Sequence, residues 1–459
     1  MYRYVDSILT KLFRGSSVTS SSSTHSPPNI LHFQQSVLVL IHLHFLNHLL
    51  DHSSHWDRDD PCLDVLNLKK DLPKFFKKLG YMSDHFFESS LLATKVFFQT
   101  NTFHVLPKDV IPLCSFASFF EADPKSIFLH VDKTFNVEDW ISYSPIISGF
   151  KLELKSHNDL QFVNNLFLFF PRVTELHLRI RRSISMASIE SLKANTTVTS
   201  ISLRNNSINE EGIAHLADLL KVNTTIKSID LGMNSLGAES ARALADLLKV
   251  NTTIKTINLW NNSFQVEGAK VLARSLKVNN TLTSCNLGWN NIRAEGAREF
   301  AKTLKVNNTV TRFSFYNNSL GVEGVRALTK SLKVNNSIKS IDLGVNALGN
   351  DGARALAEAL IVNNTITSIA LETNYIGAQG ATALADVLKV NTAVTYINLE
   401  GNLIRDEGAT AFAEALKVNS TIRCINLSYN SIKDEGGRAL AETLKINTTV
   451  EIEGINHLL

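Results

Sequence analysis

Residues 198–225 read VTSISLRNNSINEEGIAHLADLLKVNTT, and residues 226–253 follow as IKSIDLGMNSLGAESARALADLLKVNTT. In the first stretch Ile201 and Leu203 stand two apart and share one face of an extended segment, while Ser200, Ser202 and Arg204 share the other. A short, half-buried strand is predicted. Further on, Ile213, Leu216, Ala217 and Leu220 fall at i, i+3, i+4 and i+7, the stripe of a helix lying on a core. One strand and one helix therefore share each stretch of 28 residues.

The stretch recurs. Asparagine returns every 28 residues from Asn206 to Asn430, and a second series runs from Asn195 through Asn223 to Asn447. Nine units fill residues 198–449, each close to VTSIxLxxNxIxxEGAxALAxxLKVNxT. Acids from Glu211 to Glu435 stand near the helix starts and lysines from Lys221 to Lys445 near the ends, where they suit the helix dipole. Gln379 and Ile361 interrupt these two series. A period of this length predicts a solenoid of stacked repeats.

These units resemble the ribonuclease-inhibitor-like leucine-rich repeats. The resemblance implies an α/β leucine-rich-repeat solenoid, a horseshoe with a parallel sheet on the concave side and helices on the convex side, acting by protein recognition on its exposed faces. It also implies that the Asn206 series satisfies backbone groups of neighbouring turns. The Asn223 series, at the helix ends, is expected to cap them in the left-handed conformation that asparagine tolerates. Asn195 and Asn223 begin Asn-Thr-Thr glycosylation sequons, which are expected to stay unmodified.

Outward from the array the pattern loosens. Val173, Leu176 and Leu178 repeat the strand pattern, as do Phe150, Leu152 and Leu154, so residues 126–197 read as degenerate repeats or an amino-terminal cap. Residues 450–459 begin a partial repeat in which Ile455, Leu458 and Leu459 are expected to fold over the last unit or meet another copy. Residues 36–125 read as a mainly helical region, and residues 1–35, with the Ser-rich tract at 16–28, as a low-complexity tail. The apolar run at 36–50 is short and carries His42, His44 and His48, too polar for a spanning helix and weakly spaced for a metal. Leu106, Pro107, Val110, Ile111 and Trp140 are faintly similar to an F-box, which would make the chain a substrate-recognition subunit of a ubiquitin ligase.

The chain has 459 residues, 44% of them hydrophobic and 19% charged, and 46 basic against 43 acidic side chains give +3. This balance favours a folded, multi-unit protein with no pull toward nucleic acid. Cys62, Cys114, Cys285 and Cys424 lack paired spacing, which fits a reducing compartment and no zinc site. Charged residues break residues 1–15, so a cytoplasmic protein without membrane insertion is expected. Phosphate-loop, dinucleotide, zinc-protease and serine-elbow motifs are absent, so no enzyme activity and no cofactor is expected. Ran GTPase activators use similar repeats, with Arg204 or Arg293 as conceivable charge stabilisers, but this chain ends without their acidic tail.

Recognition is expected where the units differ. The two positions before each asparagine of the 206 series vary, and they bring Trp260, Trp289 and Tyr316 from consecutive units into one patch on the concave side. A second candidate lies on the convex side, where Lys270 with Arg274, Arg298 with Lys302, and Arg326 with Lys330 place like charges at i, i+4. In flanking units Arg242 can pair with Asp246, Arg354 with Glu358, and Arg438 with Glu442. The expected function is a non-enzymatic scaffold for an unidentified protein partner.

Overall fold

The computed structural model describes residues 102–105, 126–131, 147–154, 172–180 and 186–455. The Ser-rich tract, the histidine-bearing run, the F-box-like motif, Cys62, Cys114, Leu458 and Leu459 lie outside the described residues. The chain divides into two units, Met1–Lys151 and Leu152–Leu459. In the first, β1 (Thr102–Val105) pairs in parallel with β2 (Ser126–Val131). β1 is a strand within a stretch expected to be mainly helical, and its Thr, Phe and Val favour extended backbone. β3 (Ile147–Leu154) runs across the division.

The second unit opens with β4 (Glu175–Ile180) and a 3₁₀ segment (Met186–Lys193). Strand and helix then alternate: β5 (Ser200–Ser202), α1 (Glu210–Val222), β6 (Ser228–Asp230), α2 (Gly237–Val250), β7 (Thr256–Asn258) and α3 (Gln265–Leu276). The series continues with β8 (Ser284–Asn286), α4 (Arg293–Leu304), β9 (Arg312–Ser314), α5 (Gly321–Leu332), β10 (Ser340–Asp342) and α6 (Gly349–Leu360). It closes with β11 (Ser368–Ala370), α7 (Ala378–Leu388), β12 (Tyr396–Asn398), α8 (Arg405–Val418), β13 (Cys424–Asn426), α9 (Asp434–Ile446) and β14 (Glu451–Glu453). From β4 onward each strand pairs in parallel with the next, and each helix packs on its neighbours, as the repeat predicts.

The register explains the core. Ile201, Ile229, Ile257, Cys285, Phe313, Ile341, Ile369, Ile397 and Ile425 stand opposite one another in successive strands, all buried. The helices meet this row with their own stripe, and Ile213, Leu216, Ala217 and Leu220 are each at most 1% exposed. At Phe313 the repeat admits larger side chains, and Phe300, Phe313 and Phe315 form one cluster with centroids 4.4 to 5.4 Å apart. At the amino end Leu176 stands opposite Ile201, so the shortened unit before residue 198 joins the same row. At the other end Ile452 stands opposite Ile425, 27 positions on, and Ile455 is fully buried.

Close packing between helices requires small residues. A Cβ on Gly296 would lie 2.4 Å from Cγ2 of Ile292 and 3.0 Å from Cβ of Ala269 on the preceding helix. Ser240 occupies the equivalent place in α2, and its buried hydroxyl finds no hydrogen-bond partner among the described residues.

Candidate protein-recognition face

Each strand ends in a turn built on asparagine. The side-chain N–H groups of Asn290 donate to the carbonyls of Leu259 (2.9 Å), Leu287 (2.9 Å) and Gly288 (3.0 Å), and its Oδ1 accepts the backbone N–H of Asn262 (3.0 Å). The same pattern links Asn206, Asn234, Asn262, Asn318, Asn346 and Asn374. These amides are buried and fully used, a structural role.

The helix-end series works differently from the expected left-handed cap. Asn223 has φ −70° and ψ 127°, an extended conformation, and Asn251 and Asn419 are alike. The reason is the side chain: Oδ1 of Asn223 accepts the N–H groups of Thr225 and Ile226 (2.9 and 2.8 Å), while Nδ2 donates to the carbonyl of Leu192 (2.7 Å). That geometry turns the chain toward the next strand and needs no left-handed residue. It also commits the nitrogen that a sequon glycan would use.

Left-handed backbone is found at the strand ends instead. Asn205, Met233, Asn261, Trp289, Asn317, Val345, Thr373 and Tyr429 all have φ between 48° and 60°. Asparagine accepts this region readily, whereas a bulky or β-branched residue is strained there by about 1 kcal/mol. Trp289 is nonetheless placed in it and is 47% exposed.

The column just before these positions reads Arg204, Gly232, Trp260, Gly288, Tyr316, Gly344, Glu372, Glu400, Ser428, alternating large and small as far as Glu372. The glycines make room for their neighbours. A Cβ on Gly288 would lie 2.8 Å from Cδ1 of Trp260, and one on Gly344 would lie 2.8 Å from Cδ2 of Tyr316 and 2.7 Å from the carboxyl carbon of Glu372. Arg204 reaches across Gly232 to place its guanidinium 5.0 Å from the Trp260 ring centre. Trp260 meets Trp289 edge-on, 6.1 Å between centroids. Below the column, side chains at the strand ends receive the N–H two residues on, as in Trp260 to Asn258 (3.1 Å) and Gly344 to Asp342 (3.0 Å).

Beyond Tyr316 the face turns acidic. Oε2 of Glu372 accepts from Nδ2 of Asn398 (3.3 Å), and Oε2 of Glu400 from Nδ2 of Asn426 (3.2 Å). Oδ2 of Asp342 accepts from the Ser314 hydroxyl (2.7 Å). Burial, and then the Asp342 and Glu400 charges, hold the Glu372 carboxyl above the usual range; burial also raises Asp342 and, with Glu372, Asp342 and Glu400, the Tyr316 hydroxyl. These acids were missed in the sequence as site residues, although Glu372 and Glu400 stand in the variable column beside the tryptophans.

A family model described as Leucine Rich repeat matches residues 194–217, 222–245, 278–301, 334–357, 390–413 and 418–441. The protein is a leucine-rich-repeat protein. Among solved structures, its repeats are similar to LegL7, a leucine-rich repeat-containing protein from Legionella pneumophila, at 18% identity over 61% of this chain and 89% of that one, TM-score 0.43. The tropomodulin C-terminal domain of Caenorhabditis elegans matches at 16% identity over 33% of this chain and 93% of that one, TM-score 0.29. TLR13 in a complex with ssRNA13 matches at 12% identity over 70% and 51%, TM-score 0.42. No curated protein sequence matches the chain.

On the helix side of this leucine-rich-repeat array, most of the expected basic cluster is paired. Lys270 reaches Glu267 (2.7 Å) and Arg326 reaches Glu323 (3.4 Å) and Asp351 (3.6 Å). Glu299, with only 12% of its side chain exposed, gathers Lys302 (2.9 Å), Arg274 (3.6 Å) and Lys277 (3.6 Å). Arg298 and Lys330 make no ion pair among the described residues. The flanking pairs form at i, i+3 in place of the expected i, i+4: Arg242 meets Glu239, Arg354 meets Asp351 (2.8 Å), and Asp246 meets Lys249 (2.8 Å). Glu442 likewise takes Lys445 (2.5 Å) in place of Arg438.

The arginines considered as charge stabilisers are both engaged, Arg204 on Trp260 and Arg293 through Nε to Asn291 (3.4 Å). Among the described residues no helix is long and apolar enough to cross a membrane, and no group of side chains is placed to hold a metal.

Proposed function

We infer that this protein is a non-enzymatic scaffold that recognises another protein through the strand-end face of its repeats, centred on Trp260, Trp289 and Tyr316. One observation carries this reading. Trp289 stands exposed in a left-handed position that asparagine fills in adjacent units, so it costs stability where it is, and it stands against Trp260 to form an aromatic anchor. The glycines on either side keep that anchor open. The helix side is the weaker candidate, because four of its six basic residues are already paired with acids of the same array.

Eleven to fourteen residues of helix per 28-residue unit support the ribonuclease-inhibitor-like subclass. The free thiols of Cys285 and Cys424 support a reducing, cytoplasmic setting. The test is quantitative capture from an extract of the source cells with the intact chain, Trp260→Ala and Trp289→Ala. A protein retained by the intact chain and depleted about tenfold by either variant supports the reading; undiminished retention of every captured protein contradicts it.

A further inference from the structure

The column of alternating large and small residues is also a charge gradient. At its start a cation already sits on an aromatic ring, Arg204 on Trp260. Two strands further, the ring of Tyr316 and the carboxyl of Glu372 converge over Gly344, both within 3 Å of the point a Cβ there would occupy. Glu400 follows on the next strand. An aromatic edge with two carboxylates is a suitable lining for a positively charged side chain. Among the described residues no lysine or arginine pairs with either carboxylate.

The contrast with the helix side makes the gap informative. Asp218, Asp246, Asp386, Glu414 and Glu442 each meet a lysine one turn on, at 2.5 to 2.8 Å. Among the described residues Glu372 and Glu400 have no ion pair. What they have is a hydrogen bond from the amide of Asn398 or Asn426, which fixes each carboxylate without neutralising it. Half-buried like charges held this way repel one another until a cation arrives.

We propose that Tyr316, Glu372 and Glu400 bind a lysine or arginine side chain of an extended protein segment whose apolar residue rests on Trp260 and Trp289. The spacing follows from the sheet. Trp260 and Glu372 stand four strands apart, about 19 Å at ordinary strand spacing, which an extended segment crossing the strands covers in about six residues. Six is even, so both partner side chains face the sheet. The proposal rests on the strand-end face being the recognition surface, and its test separates the two.

A phage-displayed library of linear dodecapeptides is selected against the full chain, and the winning sequences are made as synthetic peptides and titrated by fluorescence anisotropy. The expected pool carries Lys or Arg about six positions from an aromatic or aliphatic residue. Glu372→Gln with Glu400→Gln, each checked for folding by circular dichroism, is expected to weaken these peptides about tenfold. Glu372→Lys with Glu400→Lys is expected to select acidic peptides instead. A pool without Lys or Arg enrichment, an empty pool, or peptides indifferent to the glutamine pair overturns the cation site. If such peptides still lose affinity with Trp260→Ala and Trp289→Ala, the strand-end reading stands and only the cation site falls. Indifference to both sets overturns both.

Discussion

The two faces of one repeat treat charge in opposite ways. On the helix side acids and bases stand three residues apart in most repeats and pair within a helix or with the next one; Lys302 bonds Glu299 and holds its carboxyl below the usual range. On the strand-end side the charged positions are the variable ones, and burial holds Glu372 above its usual range. The first arrangement is what a stable surface needs. The second raises the free energy of the unbound protein, and this is the ground on which that side is proposed for recognition.

The largest effect that can sharpen this comparison lies beneath the strand-end face. Asn290→Ala removes three donated bonds and the acceptor for Asn262, and is expected to cost about 3 kcal/mol in urea unfolding, with recognition lost only through unfolding. A cost below about 1 kcal/mol would mean that the turn is held by other contacts. Next, Trp289→Asn restores the residue of adjacent units and is expected to raise stability by about 0.5 to 1 kcal/mol while weakening the partner. A destabilised variant would show that Trp289 serves to cover the core instead.

Two carboxylates give the comparison in its most compact form. Glu299 is lowered when folded, so its contribution is present above the carboxylate range and lost as pH falls through the folded value. Glu372 is raised, so its ionisation takes stability away as pH rises through its folded value. Hence Glu299→Gln is expected to lower the melting temperature at pH 7 and Glu372→Gln to raise it, with both differences vanishing in acid. Shifts of the same sign would break the contrast. The smallest effect belongs to an exposed helix pair: Lys249→Ala, which breaks the pair with Asp246, is expected to change stability by less than about 0.5 kcal/mol and only at low salt.

Much of this fold was legible because the period left few alternatives. Ile201, Leu203, Leu216 and Leu220 state the strand and helix directly, and the register Ile201 to Ile229 follows from 28. The helix-end asparagine was legible as structural but not as extended, since its side chain accepts the N–H groups of Thr225 and Ile226 while donating to Leu192 on the preceding unit, and that second bond is not encoded locally. Likewise i, i+4 rules suggested Arg242 with Asp246, whereas Glu239 and Lys249, three residues away in each direction, lie closer. Trp260, Trp289 and Tyr316 were visible as variable aromatics. The companion acids were not, because their meaning arises only when Gly344 lets Tyr316 and Glu372 meet.

The most direct test sets the two faces against each other in one experiment: partner retention is measured for Trp260→Ala/Trp289→Ala and for the helix-side reversal Arg298→Glu/Lys302→Glu/Arg326→Glu, with both proteins confirmed folded. The account predicts loss in the first and retention close to the intact chain in the second. Retention by the tryptophan variant together with loss in the charge-reversed one would contradict it and move recognition to the helices.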